Sequence, residues 1–204
     1  MILPGTKQTL DDLQWLRQRG FEDAVSKHPQ VTGICGGLQM LGHSIEDPGG
    51  VESGGASRSI DGLGLLPLRT ILQGEKTVRR ASGQSLLWPA QVIHGYEIHM
   101  GETVYDSSAR PFAQILRERD SQPLNDGAIH PSGRIWGTYL HGLFDDDAFR
   151  HCFLQSARQA NGLEPAVELL NLTAQREARM DRWAAHVKKY LDMNLIRSWL
   201  EDPR

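Results

Sequence analysis

Cys35 stands among Gly33, Gly36 and Gly37 in TGICGGLQMLG, residues 32–42, where a short strand meets glycines and turns into a helix. A thiol on such a turn could be a nucleophile for three reasons. The strained backbone projects the side chain clear of the sheet. The glycines let the turn close and a substrate approach. Backbone N–H groups at the start of the following helix lower a thiol's pKa and can hold an oxyanion. The competing reading is equally physical: free cysteines are often buried and inert, and glycine-rich strand-to-helix turns also bind phosphates. Gln39, one helical turn from Cys35, shifts the balance toward a nucleophile, which then needs a base.

Of eight histidines, His28, His43, His151 and His186 fall among polar neighbours on helices or loops, and His130 sits beside a hairpin turn. All five read as solvated. His94 and His99 flank GYEIH on one strand, and their odd separation sends them to opposite faces, so one site cannot use both. His141 follows the strand-like WGTYL and precedes Gly142. Functional side chains converge at strand ends in α/β sheets, which makes His141 the candidate base. A hydrogen-bonded rim histidine is the alternative.

Turn and cap signals give the elements that must position this pair. MILPGTKQT reads as the tail of a buried strand, Ile2-Leu3, ending in a Pro-Gly turn. A two-residue strand at a terminus lacks the neighbours that usually hold it, so the chain reads as the C-terminal part of a longer polypeptide. Thr9 as N-cap, with Asp12 in capping-box position, opens a helix through Leu10, Leu13 and Leu16 that Gly20 ends. A short helix covers Phe21–Lys27, a strand Gln30–Ile34 and a helix Gly36–His43. Residues 46–62, rich in Gly and Ser, predict a loop. Strand-like pieces follow at 63–72, 76–80, 91–99 and 113–117, then a hairpin over 127–142 turning at Pro131-Ser132-Gly133. Asp145 caps a helix over Asp146–Ala160. A final helix, Ala174–Glu201, carries Trp183, Val187, Leu191, Leu195 and Trp199 as a packing stripe. This order predicts one α/β domain around a central mixed sheet.

The 204 residues are 39% hydrophobic and 23% charged, with net charge −3. That composition is ordinary for a globular protein and offers no cationic excess to hold nucleic acid or an anionic membrane. No apolar run approaches a membrane span, and the N-terminus lacks a secretion signal. Two cysteines cannot make a disulfide framework, which points to a reduced cytoplasmic setting. No paired Cys or His stands at metal-ligand spacing, so no metal is expected.

GICGGLQMLG, with LPGTKQT upstream and GTYLHGLF downstream, resembles the triad-type (class I) glutamine amidotransferases. LPGTKQTLDDLQWLR, DPGGVES, GLGLLP, GYEIHMGET and GTYLHGLFDDDAFR are similar, more narrowly, to the C-terminal glutaminase domain of the cobyric acid synthases. The likeness runs in order from about residue 2 to about residue 155. It implies a three-layer, flavodoxin-like α/β fold and a domain over residues 1–204, with a helical extension from about 165. It also implies a chemistry: Cys35 attacks the side-chain amide of glutamine, and His141 moves the proton to the leaving nitrogen. The N–H of Gly36 and one from the Pro4-Gly5-Thr6 loop form the oxyanion hole, and Gln39 helps hold substrate. Glu97 and His99 match a family motif near the site. No cofactor is implied for this domain. ATP and magnesium belong to an N-terminal synthetase domain that also takes the corrinoid, and which this sequence does not contain.

Two departures matter. The wider family has a glutamate two residues after the catalytic histidine, where this chain has Leu143, a feature the cobyric acid synthase branch shares. No phosphate-binding P-loop is present, GEKT at Gly74–Thr77 being a near miss. The rival readings are a glutaminase serving another amidoligase (cobyrinic acid a,c-diamide synthase or a Mur-ligase-like enzyme), a non-catalytic partner domain, or a cysteine hydrolase of other specificity.

Overall fold

The computed structural model describes residues 1–89, 91–166 and 170–201. The chain divides into two units, Met1–Val167 and Glu168–Arg204. The first runs β1 (Ile2–Leu3), α1 (Thr9–Gln18), α2 (Phe21–Lys27), β2 (Val31–Ile34), α3 (Gly36–Leu41), β3 (Ser44–Asp47) and β4 (Arg58–Asp61). It continues through β5 (Leu68–Ser85), β6 (Val92–Tyr105), β7 (Ala113–Arg117), β8 (Leu124–Asp126), β9 (Ala128–Ile129), β10 (Ile135–Thr138) and β11 (Leu140–His141). A 3₁₀ turn at Leu143–Asp145 leads into α4 (Asp147–Ala160). The second unit holds α5 (Leu172–Tyr190) and α6 (Met193–Glu201).

The α/β class holds, and the mixed β-structure forms two hydrogen-bonded sheets. One has the order β1-β2-β10-β9, parallel except for β9. The other has the order β11-β6-β5-β3-β4, with β7 and β8 added along β5. The chain changes sheets at Tyr139, between β10 and β11. Buried Asp126 makes the change possible: it accepts the Thr138 hydroxyl and the Tyr139 N–H, the latter at 3.1 Å. A peptide group that leaves a ladder thus still has a partner.

Burial follows the helical period of α1, whose Leu10, Leu13 and Leu16 face inward. The second core gathers around fully buried Trp136, stacked on Phe112 at 4.4 Å and met edge-on by Trp88.

Several local expectations change. Thr9 is the first helical residue and Gln8 the N-cap, because the Thr9 hydroxyl is committed to Glu52 and Gln39. Asp12 accepts the Thr6 hydroxyl instead of closing a capping box. Residues 46–62 are not all loop: the antiparallel pair β3–β4 brackets a turn whose N–H groups at Val51, Glu52 and Ser53 bond to Asp47. The pieces expected at 63–72 and 76–80 fall in one strand, β5, which starts at Leu68 and has a register shift between Ile71 and Lys76. Gly74–Thr77 therefore lies inside a strand. The α4 cap is Asp146, which accepts from Phe149 N at 2.7 Å, and not Asp145. The final helix is two helices, since Asp192 accepts from Asn194 N and Leu195 N and starts α6. Neither α5 nor α6 buries a residue, and of the expected packing stripe Trp183, Leu191, Leu195 and Trp199 are exposed while Val187 is half-buried. Among the described residues, no helix is long and apolar enough to cross a membrane.

Candidate active site

Cys35 occupies the single residue between β2 and α3, at φ 53° and ψ −112°. An L-residue pays for a positive φ, so its neighbours must hold it there. Cys35 N donates to Thr138 O at 2.9 Å, and Gln39 N donates to Cys35 O at 3.1 Å. The flanking glycines permit close approach: a side chain on Gly37 would run into the Leu3 carbonyl, and one on Gly33 into the Gly37 backbone. The thiol projects from this elbow and donates to Ile98 O at 3.2 Å.

His141 arrives from the other sheet, opposite Tyr96 in the β6–β11 pair. Its ring stacks on Tyr96 at 5.5 Å and 12°. It is hydrogen-bonded to the Ile98 backbone, while its Nε2 is buried without a partner. Gly5 joins the two side chains: a Cβ built there would lie 3.3 Å from His141 Cε1 and 3.4 Å from Cys35 Cβ. A Cβ on Gly36 would stand 3.1 Å from Thr6 N. The structure therefore brings together Cys35, His141, Gly5 and Gly36.

Electrostatics correct one expectation. The thiol's pKa is raised, chiefly by burial and further by the charge of Glu52, against the lowering pull of the Gly36 N–H. Burial lowers His141. Both shifts favour a neutral thiol–imidazole pair over thiolate and imidazolium.

A cavity of about 390 Å³ opens beside Cys35, walled by Thr9, Gln39, Glu52, Lys76, Ile98 and His99 among others. Gln39 is buried, donating to Tyr139 Oη and accepting from Thr9 Oγ1, each at 3.3 Å. His99 lies over Tyr139 at 4.1 Å between ring centres. Glu97 stands behind His99, with its oxygens held by Arg117 at 2.5 and 2.9 Å. Burial alone would raise its pKa, but the hydrogen bonds and charges of Arg117 and His99 prevail and hold it at about 2. His94 faces a different hollow, with Arg80 and Arg119, as the odd separation from His99 requires. Among the described residues, no group of three or more His, Cys, Asp or Glu could hold a metal ion.

Sequence reasoning missed Glu52, Thr9, Ile98, Tyr96 and Tyr139 as parts of this region. All five lie inside the segments that carry the family resemblance, Thr9 in LPGTKQTLDDLQWLR, Glu52 in DPGGVES, Tyr96 and Ile98 in GYEIHMGET and Tyr139 in GTYLHGLFDDDAFR, but nothing in those segments singled them out as site residues.

Residues 1–149 match a family described as the CobB/CobQ-like glutamine amidotransferase domain. Curated relatives include cobyric acid synthases of Brucella anthropi, 44% identical over 96% of this chain, and of Moorella thermoacetica, 39% identical over 96%. The chain spans 38% and 40% of their respective lengths. A crystal structure of a glutamine amidotransferase shares 19% identity at a TM-score of 0.48, covering 79% of this chain and 78% of its own. With most of its length matched by the family, the chain belongs to the CobB/CobQ-like glutamine amidotransferase domains.

Proposed function

We propose that this chain is the glutaminase part of a cobyric acid synthase, releasing ammonia from glutamine through a thioester on Cys35. The observation that carries the reading is the convergence of Cys35 and His141 on Gly5 across two sheets. The cobyric acid synthases among its relatives support the narrower assignment.

The resting pair is neutral, so attack and proton transfer are coupled. His141 Nε2, free of other partners, takes the thiol proton as sulfur adds to the amide carbon. The N–H of Gly36 and one from the Pro4-Gly5-Thr6 loop hold the oxyanion. The same imidazole then protonates the departing nitrogen, leaving a γ-glutamyl thioester and ammonia, and water cleaves the thioester. Gln39, held by Thr9 and Tyr139, fixes the wall against which the substrate lies. The Ile98 carbonyl, bonded to the His141 ring, supplies the orientation that a glutamate gives in the wider family. Cys35 and Cys152 are both free thiols, so either could in principle take up an electrophile.

In this reading the ammonia passes to a synthetase domain elsewhere in the longer protein. That domain uses ATP and magnesium to activate the b, d, e and g carboxylates of adenosylcobyrinic acid a,c-diamide. Mass spectrometry after incubation with 6-diazo-5-oxo-norleucine, a glutamine-like electrophile, tests the glutaminase reading. The expected result is an adduct on Cys35 and none on Cys152. Equal labelling, or none, overturns it.

A further inference from the structure

The chain passes directly from one sheet to the other at two neighbouring places. β10 gives way to β11 at Tyr139, and β8 gives way to β9 at Gly127. The two crossings pack backbone to backbone, because a side chain on Gly127, at φ 66°, would run into the Gly137 carbonyl. Asp126 stands between them, at the end of β8 and only 2% exposed. Its main chain belongs to the seven-stranded sheet, where it lies opposite Ala113 and accepts from Phe112 N at 3.0 Å. Its side chain reaches the other crossing, accepting the Thr138 hydroxyl and, at 3.1 Å, the Tyr139 N–H. The Thr138 hydroxyl oxygen in turn accepts from Leu140 N at 3.0 Å. Thr138, Tyr139 and Leu140 thus all hang on one carboxylate, directly or through a hydroxyl.

These three residues link Cys35 to His141. On one side, the Thr138 carbonyl accepts from Cys35 N at 2.9 Å. On the other, Leu140 runs straight into His141. Asp126 does not line the cavity beside Cys35, so it can reach the reaction only through this backbone. A carboxylate is also a poor choice here for stability alone, since burial penalises its charged form and lifts its pKa to about 6. What the charge provides is an acceptor oxygen for each of two donors, where a neutral amide has only one.

We propose that Asp126 is a positioning residue for Cys35 and His141: its ionised carboxylate ties the two crossings together and holds thiol and imidazole in register for proton transfer. This rests on the glutaminase reading. Protonation turns one carboxylate oxygen into a donor, takes the acceptor from the Thr138 hydroxyl and loosens the crossing. The titratable and charged groups that face Asp126 are Glu97, His99 and Tyr105 on β6 and Arg117 on β7. Glu97 is held at about 2, and Tyr105 and Arg117 are pushed above their ordinary values. None of those three changes charge between about pH 5 and pH 8.

The test uses the full chain and follows Cys35 labelling by 6-diazo-5-oxo-norleucine over a range of reagent concentrations and pH. Asp126→Asn keeps the shape of the side chain, offers one acceptor and has no charge to lose. At about pH 8 it is expected to lower the maximal labelling rate about tenfold and to leave the half-saturating concentration unchanged, because misplacement acts on the reaction step. By about pH 5 the deficit should shrink to about twofold, since the wild type has then lost the same charge. Titrations of Cys35, His141 and His99 belong to both proteins and cancel in the ratio. Thr138→Val, which removes the hydroxyl and keeps the carboxylate, should also lower the maximal rate at about pH 8. A deficit independent of pH makes Asp126 structural and overturns its positioning role, and so does a changed half-saturating concentration at an unchanged maximal rate. If circular dichroism shows that Asp126→Asn does not fold, Thr138→Val decides alone, and a wild-type maximal rate there overturns the role. Absence of any adduct in the wild type overturns the glutaminase reading first, and the role of Asp126 with it.

Discussion

Glu97 and Asp126 sense each other's charge, yet they titrate on opposite sides of the ordinary carboxylate range. Burial lifts Asp126 to about 6, and its bonds from Thr138 and Tyr139 only partly offset this. Glu97 is equally buried but has Arg117, and sits at about 2. The linkage signs differ accordingly. Glu97's folded pKa lies below its ordinary 4.5, so its stabilisation is complete above 4.5 and fades as pH falls toward 2. Asp126's folded pKa lies above its ordinary 3.8, so it opposes folding increasingly as pH rises from 3.8 to 6. Glu97→Gln is therefore expected to be less stable than the wild type at pH 7, with the gap narrowing between pH 4.5 and 2. Urea unfolding at several pH values measures this, and a gap that stays constant would mean the Arg117 pair is not its source.

The elbow shows which kind of information a single sequence carries. Gly33, Gly36 and Gly37 around Cys35 announce a tight strand-to-helix turn by their spacing alone, although the backbone that Gly36 and Gly37 must clear, at Thr6 and Leu3, is distant in sequence. Gly37→Ala tests the closest of these approaches: its methyl group meets the Leu3 carbonyl, backbone that cannot step aside. Overpacking of this sort costs about 1–3 kcal/mol. The thermal midpoint should fall by several degrees for a chain of this size, and an unchanged midpoint would show that β1 is not held against α3. Other features depend on distant partners and were illegible. Thr9 has every attribute of an N-cap until Glu52, 43 residues away, claims its hydroxyl. GGVESGG reads only as loop, because Asp47's capture of three amides lies in geometry and not in composition. The division into two sheets was hidden for the same reason, since it turns on one carboxylate at the Tyr139 peptide. His141 could be picked out by its place at a strand end, whereas its contacts with Tyr96 and the Ile98 backbone could not.

At the scale of the molecule, the three hydrophobic clusters consist of residues within Met1–Val167. α5 and α6 bury none of theirs, and Trp183, Leu195, Trp199 and Leu200 are exposed. A chain ending at residue 166 is expected to keep its thermal midpoint and its Cys35 labelling rate. Loss of cooperative unfolding in that shortened chain would show that the last two helices complete the fold.

The change of sheet at Tyr139 gives this chain a mechanical property. Cys35 follows directly on the four-stranded sheet and His141 lies in the seven-stranded one, with the Thr138 carbonyl accepting from the Cys35 N–H just before the pivot. The two side chains of the proposed reaction thus sit on separate sheets, like the two jaws of a pair of pliers. The distance between the two side chains is therefore set across the junction at Tyr139, and not by the hydrogen-bond ladder of either sheet alone.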